Sequence, residues 1–307
     1  MKYRHRLGIF VSAFLALITV ILVWPALVGR LPGHRLPPTT VIEPSSMSSP
    51  QTIQIRLGEQ PTDFLARFAD RVKVNSQPAG LDFLSIDWRH PPYGTLRLDQ
   101  PHASFTVTHV LGVQTFRRAA SGSQQGITRF AIYGAVNEGG DIAHDAARIH
   151  IQELLDRILS AGWHQMVDPD EPRLAGAERL KRTLASSNLN GLDARYAVPL
   201  ADWLRIEDGT PWSFVRDDAV LLVTFRRDAA KMDSALPGAY FLSLTWMTIN
   251  EHFREMVDSD DRDRWQALVP ALLVQARQRR LDKEDELRKA GWKIDTTYVD
   301  PAIPTAR

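Results

Sequence analysis

A chain of 307 residues with 44% hydrophobic and 24% charged content is globular in composition and long enough for one large or two ordinary domains. It has no cysteine, which excludes disulfides, thiolate metal sites, cysteine nucleophiles and an acylated cysteine. The formal charge of +1 hides an asymmetry: five basic residues and no acid lie in the first 35 positions, so the rest carries −4, a poor balance for binding nucleic-acid phosphates.

Lys2, Arg4 and Arg6 precede an uncharged apolar run over 7–29. As a helix, such a run crosses the roughly 30 Å hydrocarbon core of a bilayer. It exceeds the about 7–15 apolar residues of a secretory signal peptide. Residues 1–30 therefore read as an uncleaved signal anchor and transmembrane helix, with a cleaved signal peptide as the alternative. The basic start favours an N-in, C-out orientation, a single pass through a bacterial inner membrane with the remainder in the periplasm. Residues 31–51 hold Pro32, Pro37, Pro38, Pro44 and Pro50 among serines and read as an extended linker.

A first α+β half is expected over 52–174. A helix over 61–74 would bury Phe64, Leu65, Phe68 and Val72. Strands follow at 83–88, 95–98, 104–116 and 127–136, the last two joined through a turn at Ser121-Gly122. A helix over 142–161, striped by Ala147, Ile151, Leu154, Leu155, Ile158 and Leu159, ends at Gly162. Residues 163–167 close the half as a strand.

A second half is expected over 175–307. Residues 212–215 and 219–226 read as a hairpin, and 240–249 as a further strand. A helix over 260–269 should break at Pro270, resume over 271–290 and end at Gly291. Thr115-Phe116-Arg117-Arg118 recurs as Thr224-Phe225-Arg226-Arg227. Ala161-Gly162-Trp163 with Val167-Asp168-Pro169 recurs as Ala290-Gly291-Trp292 with Val299-Asp300-Pro301. The order is kept, so the sequence reads as two related repeats, each of antiparallel strands plus a long helix on one face: an α+β class.

No nucleophile elbow, phosphate loop, dinucleotide fingerprint or His-Glu-x-x-His occurs. The two Arg pairs are either anion- or partner-binding pairs or solvated strand ends. Trp163 and Trp292 either lock a helix end to the sheet or anchor an interface. Asp168, Asp170 and Glu171 form a proline-punctuated acidic loop: a docking loop, a cation site or a solvated turn. Asp258, Asp260 and Asp261 begin like a calcium loop, but Asp263 stands where glycine is needed and Val269 where glutamate is. An acidic helix start explains them better. His144 and His150 are six apart, too far to share a metal on a helix, and the other histidines form no spaced motif. The candidate partner-binding set is Trp163, Asp168, Asp170, Glu171, Asp258, Asp260 and Asp261. No catalytic, metal-binding or cofactor-binding residue is expected.

The segments running from Ala161-Gly162-Trp163 to Leu174 and from Trp212-Ser213-Phe214 to Asp228 resemble periplasmic, membrane-anchored proteins associated with type VI secretion lipase effectors. Both immunity proteins and lipase adaptors occur among these. The resemblance covers about residues 100–305 and carries over no catalytic residue. It implies a non-enzymatic protein whose partner is a secreted effector, a lipase, blocked by steric occlusion. The alternatives are an adaptor that loads such an effector, or an envelope hydrolase with a dispersed site.

Overall fold

A computed structural model of the chain describes residues 52–78, 80–118, 126–186 and 190–302. The expected signal anchor, the linker and the Ser121-Gly122 turn lie outside those residues. Among them eleven strands join in one sheet: β1 (Thr52–Ile55), β2 (Lys73–Gln77), β3 (Leu81–Asp87), β4 (Gly94–Leu98), β5 (Phe105–Arg118), β6 (Arg129–Ala135), β7 (Asp141–Ile142), β8 (His164–Gln165), β9 (Trp212–Arg216), β10 (Ala219–Arg227) and β11 (Gly238–Thr248). The spatial order is β1-β4-β5-β6-β11-β10-β9-β8. The long β5 changes partner along its length, from β4 at Phe105–Val110 to β3 at Gly112–Arg118, and keeps β6 on its other side. The halves meet edge to edge where β6 pairs antiparallel with β11, Ala135 opposite Phe241 and Arg129 opposite Met247.

The helices are α1 (Pro61–Arg67), α2 (His144–Ser160), α3 (Gly176–Ala185), α4 (Leu200–Trp203), α5 (Ile249–Arg254) and α6 (Trp265–Lys289), with a 3₁₀ turn at Ser259–Arg264 before α6. Side chains alternate across a strand, and here both faces of the sheet are buried. Leu221, Val223 and Phe225 of β10 face α1, α2 and α4 together with Tyr240, Leu242, Leu244 and Trp246 of β11. Val220 and Met247 face the other way, under α5 and α6 with Met166 and Val215. The predicted stripe of α2 is buried, with Ala147, Ile151, Leu154, Leu155 and Ile158 all in the first core. The two long helices that follow the recurring strand motif thus cover opposite faces of one continuous sheet.

The recurring Ala-Gly-Trp has one structural use. Gly162 (φ 98°) and Gly291 (φ 83°) are left-handed. The amide of Trp163 donates to Ile158 O at 3.3 Å, and that of Trp292 to Leu287 O at 2.9 Å. Both are the long bond that closes a glycine-terminated helix.

Elsewhere tertiary pairing overrides local pattern. The helix expected over 61–74 ends at Arg67, because Lys73–Gln77 pairs instead with β3 as an exposed edge strand. Pro270 does not break α6. Proline removes a single backbone donor, at an exposed position between the core residues Val269 and Leu273, and the burial of those two holds both sides of the helix. Among the described residues no strand follows α6; Asp295 N instead donates to Arg173 O at 2.6 Å. β1, β7, α3, α4 and α5 have no counterpart in the sequence reading.

Candidate functional site

Helix α6 changes character along its packing face. Val269, Leu273 and Ala276 bury against the second face of the sheet, but the same face continues with Arg280 and Glu284. Their relative exposures are 4% and 0%. A buried charge must be paired and hydrogen-bonded to be tolerated. Glu284 accepts from Arg173 three times, from the backbone N at 2.9 Å, Nε at 2.8 Å and Nη2 at 2.6 Å, and from Arg288 Nη2 at 3.2 Å. Covered but close to the surface, Glu284 is pulled two ways: burial raises its carboxyl, and the Arg173 bonds outweigh that and hold it below its ordinary value.

Arg280 bridges both copies of the Val-Asp-Pro motif. Its Nη1 donates to both carboxylate oxygens of Asp300 at 2.8 Å, and its Nη2 donates to the backbone O of Asp168 at 2.8 Å. The Tyr298 hydroxyl accepts from Val167 N at 2.9 Å. Between the two motifs lies a cavity of about 20 Å³ lined by Met166, Val167, Pro169, Phe253, Leu273 and Pro301, room for about one water. His252 borders it, and burial pushes that imidazole down to about 4.

The acidic loop faces further cations, Lys283 and Arg279 of α6 and Arg182 of α3. Lys283 Nζ donates to Asp170 O and to Glu171 Oε1, each at 2.8 Å. The Asp170 carboxylate lies 3.5 Å from Lys283 and 3.7 Å from Arg279, and Glu171 lies 3.5 Å from Arg182. Asp168 and Asp170 titrate as a pair. Crowding by protein and then the Asp170 charge push Asp168 up to about 7. Asp168 nevertheless keeps an exposed surface, and solvent weakens that push. For Asp170 burial works upward, but the Asp168 hydrogen bond, Lys283 and Arg279 prevail and hold it low. Asp170 and Glu171 are therefore spent on holding α6.

Two other expectations are corrected. Trp163 is 1% exposed, its indole N donates to Ala103 O at 2.9 Å and its ring meets Phe105 edge-on; it is a core lock, closed to any partner. Arg227, half of the second Arg pair, caps the carbonyls of Trp203, Leu204 and Ile206 and pairs with Asp208 at 2.8 Å. In the first Arg pair, Arg117 is engaged by Asp82 at 2.9 Å. Trp292 is partly exposed, with Lys181 Nζ 4.3 Å from its ring.

Asp258 and Asp260 are exposed and Asp261 half-buried at the start of the 3₁₀ turn, where Asp261 pairs with Arg264. They do not join the Asp168 loop in any described contact. Among the described residues no group of three or more His, Cys, Asp or Glu is placed to hold a metal ion. None of the described helices is long and apolar enough to cross a membrane.

Beside the clamp, α6 exposes Val274 (67%) and Leu281 (45%), with Arg277 between them on the same flank. Arg277 pairs with Asp300 at 3.4 Å, and Val299, next to Asp300 in the chain, is 82% exposed. An open hollow of about 530 Å³ lies far along the chain at Arg56, Glu59, Asp63 and Arg67.

No family model, curated protein or solved structure matches the chain.

Sequence reasoning missed Arg280, Glu284 and Arg173. The signal was present: 269, 273, 276, 280 and 284 continue one i, i+3/i+4 stripe, so two charged residues occupy core positions.

Proposed function

We propose that this chain is a non-enzymatic envelope protein, anchored by its N-terminal apolar run, that captures a secreted type VI effector and neutralises it by occlusion. The observation that carries this is the apolar row on one flank of α6, where Val274 and Leu281 are exposed on either side of Arg277, together with the exposed Val299 beside Asp300, which Arg277 holds. Clustered exposed apolar side chains mark contact surfaces. A specific complex would need about 1,200–2,000 Å² of buried surface around such anchors. The acidic loop, the tail and α6 supply a stiff mount for the row. We read the sequence recurrence as architectural: two halves of one origin, whose shared residues cap helices and converge on Arg280.

The test is co-expression of the full chain with the product of the neighbouring gene, scoring complex formation and survival. Val274→Asp, Leu281→Asp and Val299→Asp together should abolish both and leave the urea midpoint unchanged. Failure of the wild-type chain to bind or protect removes the proposal.

A further inference from the structure

Strand β5 carries an extra residue where it changes partner. Gly94 pairs with Val110 but Leu96 with Val107, which leaves one residue too many on the β5 side. His109 sits there with φ 55°, a left-handed conformation uncommon for any residue but glycine, though histidine, asparagine and aspartate adopt it more often than the rest. The bulge turns the His109 ring toward α2, where it lies 5.8 Å from the ring of His150 at an interplanar angle of 44°. Both histidines are half-buried. This is a contact between two titratable groups on two different elements, at a strained backbone position, next to the packed stripe of α2.

We propose that the His109–His150 contact is an acid-sensitive joint between β5 and α2, closed while both imidazoles are neutral and opened when protonation charges both. Two like charges at this spacing in a partly desolvated site repel.

The surroundings favour opening. On α2, Arg157 adds positive charge near His150, and Glu153 opposes it; both side chains are exposed. Burial first, then His109 and Arg157, hold the His150 imidazole below its ordinary value of 6.5. From β5 the Thr108 hydroxyl lies 3.5 Å from His109 Nδ1 and is uncharged. The strands flanking the bulge place Gly94 and Gly134 opposite Val110, so neither contributes a charge there. On α4, which also packs on α2, Asp202 is held by Arg205 at 2.9 Å. Arg148, on α2, is held by Asp145 at 2.7 Å.

A base held low in the folded state contributes stability that is complete above its ordinary value and is lost as the pH falls below it. The joint is therefore closed above the ordinary histidine value of about 6.5 and opens as the pH falls through the depressed value of His150. The larger apolar stripe keeps α2 in place, so the opening is local.

Amide exchange of the full chain between pH 7 and 5, corrected for intrinsic rates, reads the joint directly. Protection at 107–112 and 146–152 should fall severalfold in the wild type, while 154–158 holds. His109→Asn keeps a residue that tolerates the left-handed bulge, and His150→Gln keeps a polar helix former. Each should remove the pH dependence, and in His109→Asn the remaining His150 proton resonance should titrate at higher pH than in the wild type. Equal loss of protection in either variant, or no loss in the wild type, overturns the proposal.

Discussion

The two faces of the sheet hold their long helices by different physics. Helix α2 rests on five apolar side chains and an aromatic bed in which Trp203 and Phe225 stack at 4.4 Å. Helix α6 starts the same way, but its second half is held by Arg280 and Glu284 reaching Asp300, Asp168 and Arg173. Apolar contact is non-directional and does not depend on pH. A buried ionic clamp is directional, fixes which loops meet the helix, and costs much of its attraction in desolvation. The lesson is that α2 is placed by burial, and α6 together with its two loops is placed by geometry.

The largest effect should come from the first face. Phe225→Ala empties space beside Trp203, Trp212 and Tyr240 and should lower stability by about 3–5 kcal/mol, read from the urea midpoint. No substitution elsewhere can replace the lost packing. Glu284→Ala should cost about 3 kcal/mol, because it strands the buried end of the clamp. Here rescue is possible. Replacing Glu284 and Arg173 together by Leu and Met should restore stability to within about 1 kcal/mol of wild type, since the desolvation cost disappears with the pair. If the double variant is as unstable as Glu284→Ala, the faces do not differ in the way described.

The apolar architecture was legible in sequence for the same reason that it is robust. Ala147, Ile151, Leu154 and Ile158 announce their face by spacing alone, and Gly162 and Gly291 announce helix ends by the backbone they require. Edge strand β2 was invisible because every one of its residues is exposed, so no alternation marks it. The clamp was half visible. The recurring Val-Asp-Pro was noticed, but its meaning depends on Arg280, and no local pattern links residue 280 to residues 168 and 300. The acidic loop looked like a docking site because its partner on α6, Lys283, lies more than a hundred positions away.

Acid should separate the two faces. Glu284 and Asp170 are both held below their ordinary values, 4.5 and 3.8. The stability that they contribute is therefore complete above those values and is lost as the pH falls through the depressed folded ones. Between pH 5 and 2, exchange protection should drop first at 278–300 and later at 154–158, whose apolar stripe has nothing to protonate. Simultaneous loss would mean that the clamp carries no stability of its own.

The smallest effect sharpens the contrast from within the clamp. Arg279 lies 3.7 Å from Asp170 with 54% of its side chain exposed, whereas Arg280 has 5% exposed and two bonds to Asp300. An exposed pair in water gains little, about 0–1 kcal/mol at most, so Arg279→Ala should leave the urea midpoint almost unchanged. Arg280→Ala, one position along the same helix, leaves Asp300 and the Asp168 carbonyl without their donor and should destabilise several times more. The difference between neighbours of identical chemistry would show that depth, not charge, makes this network structural.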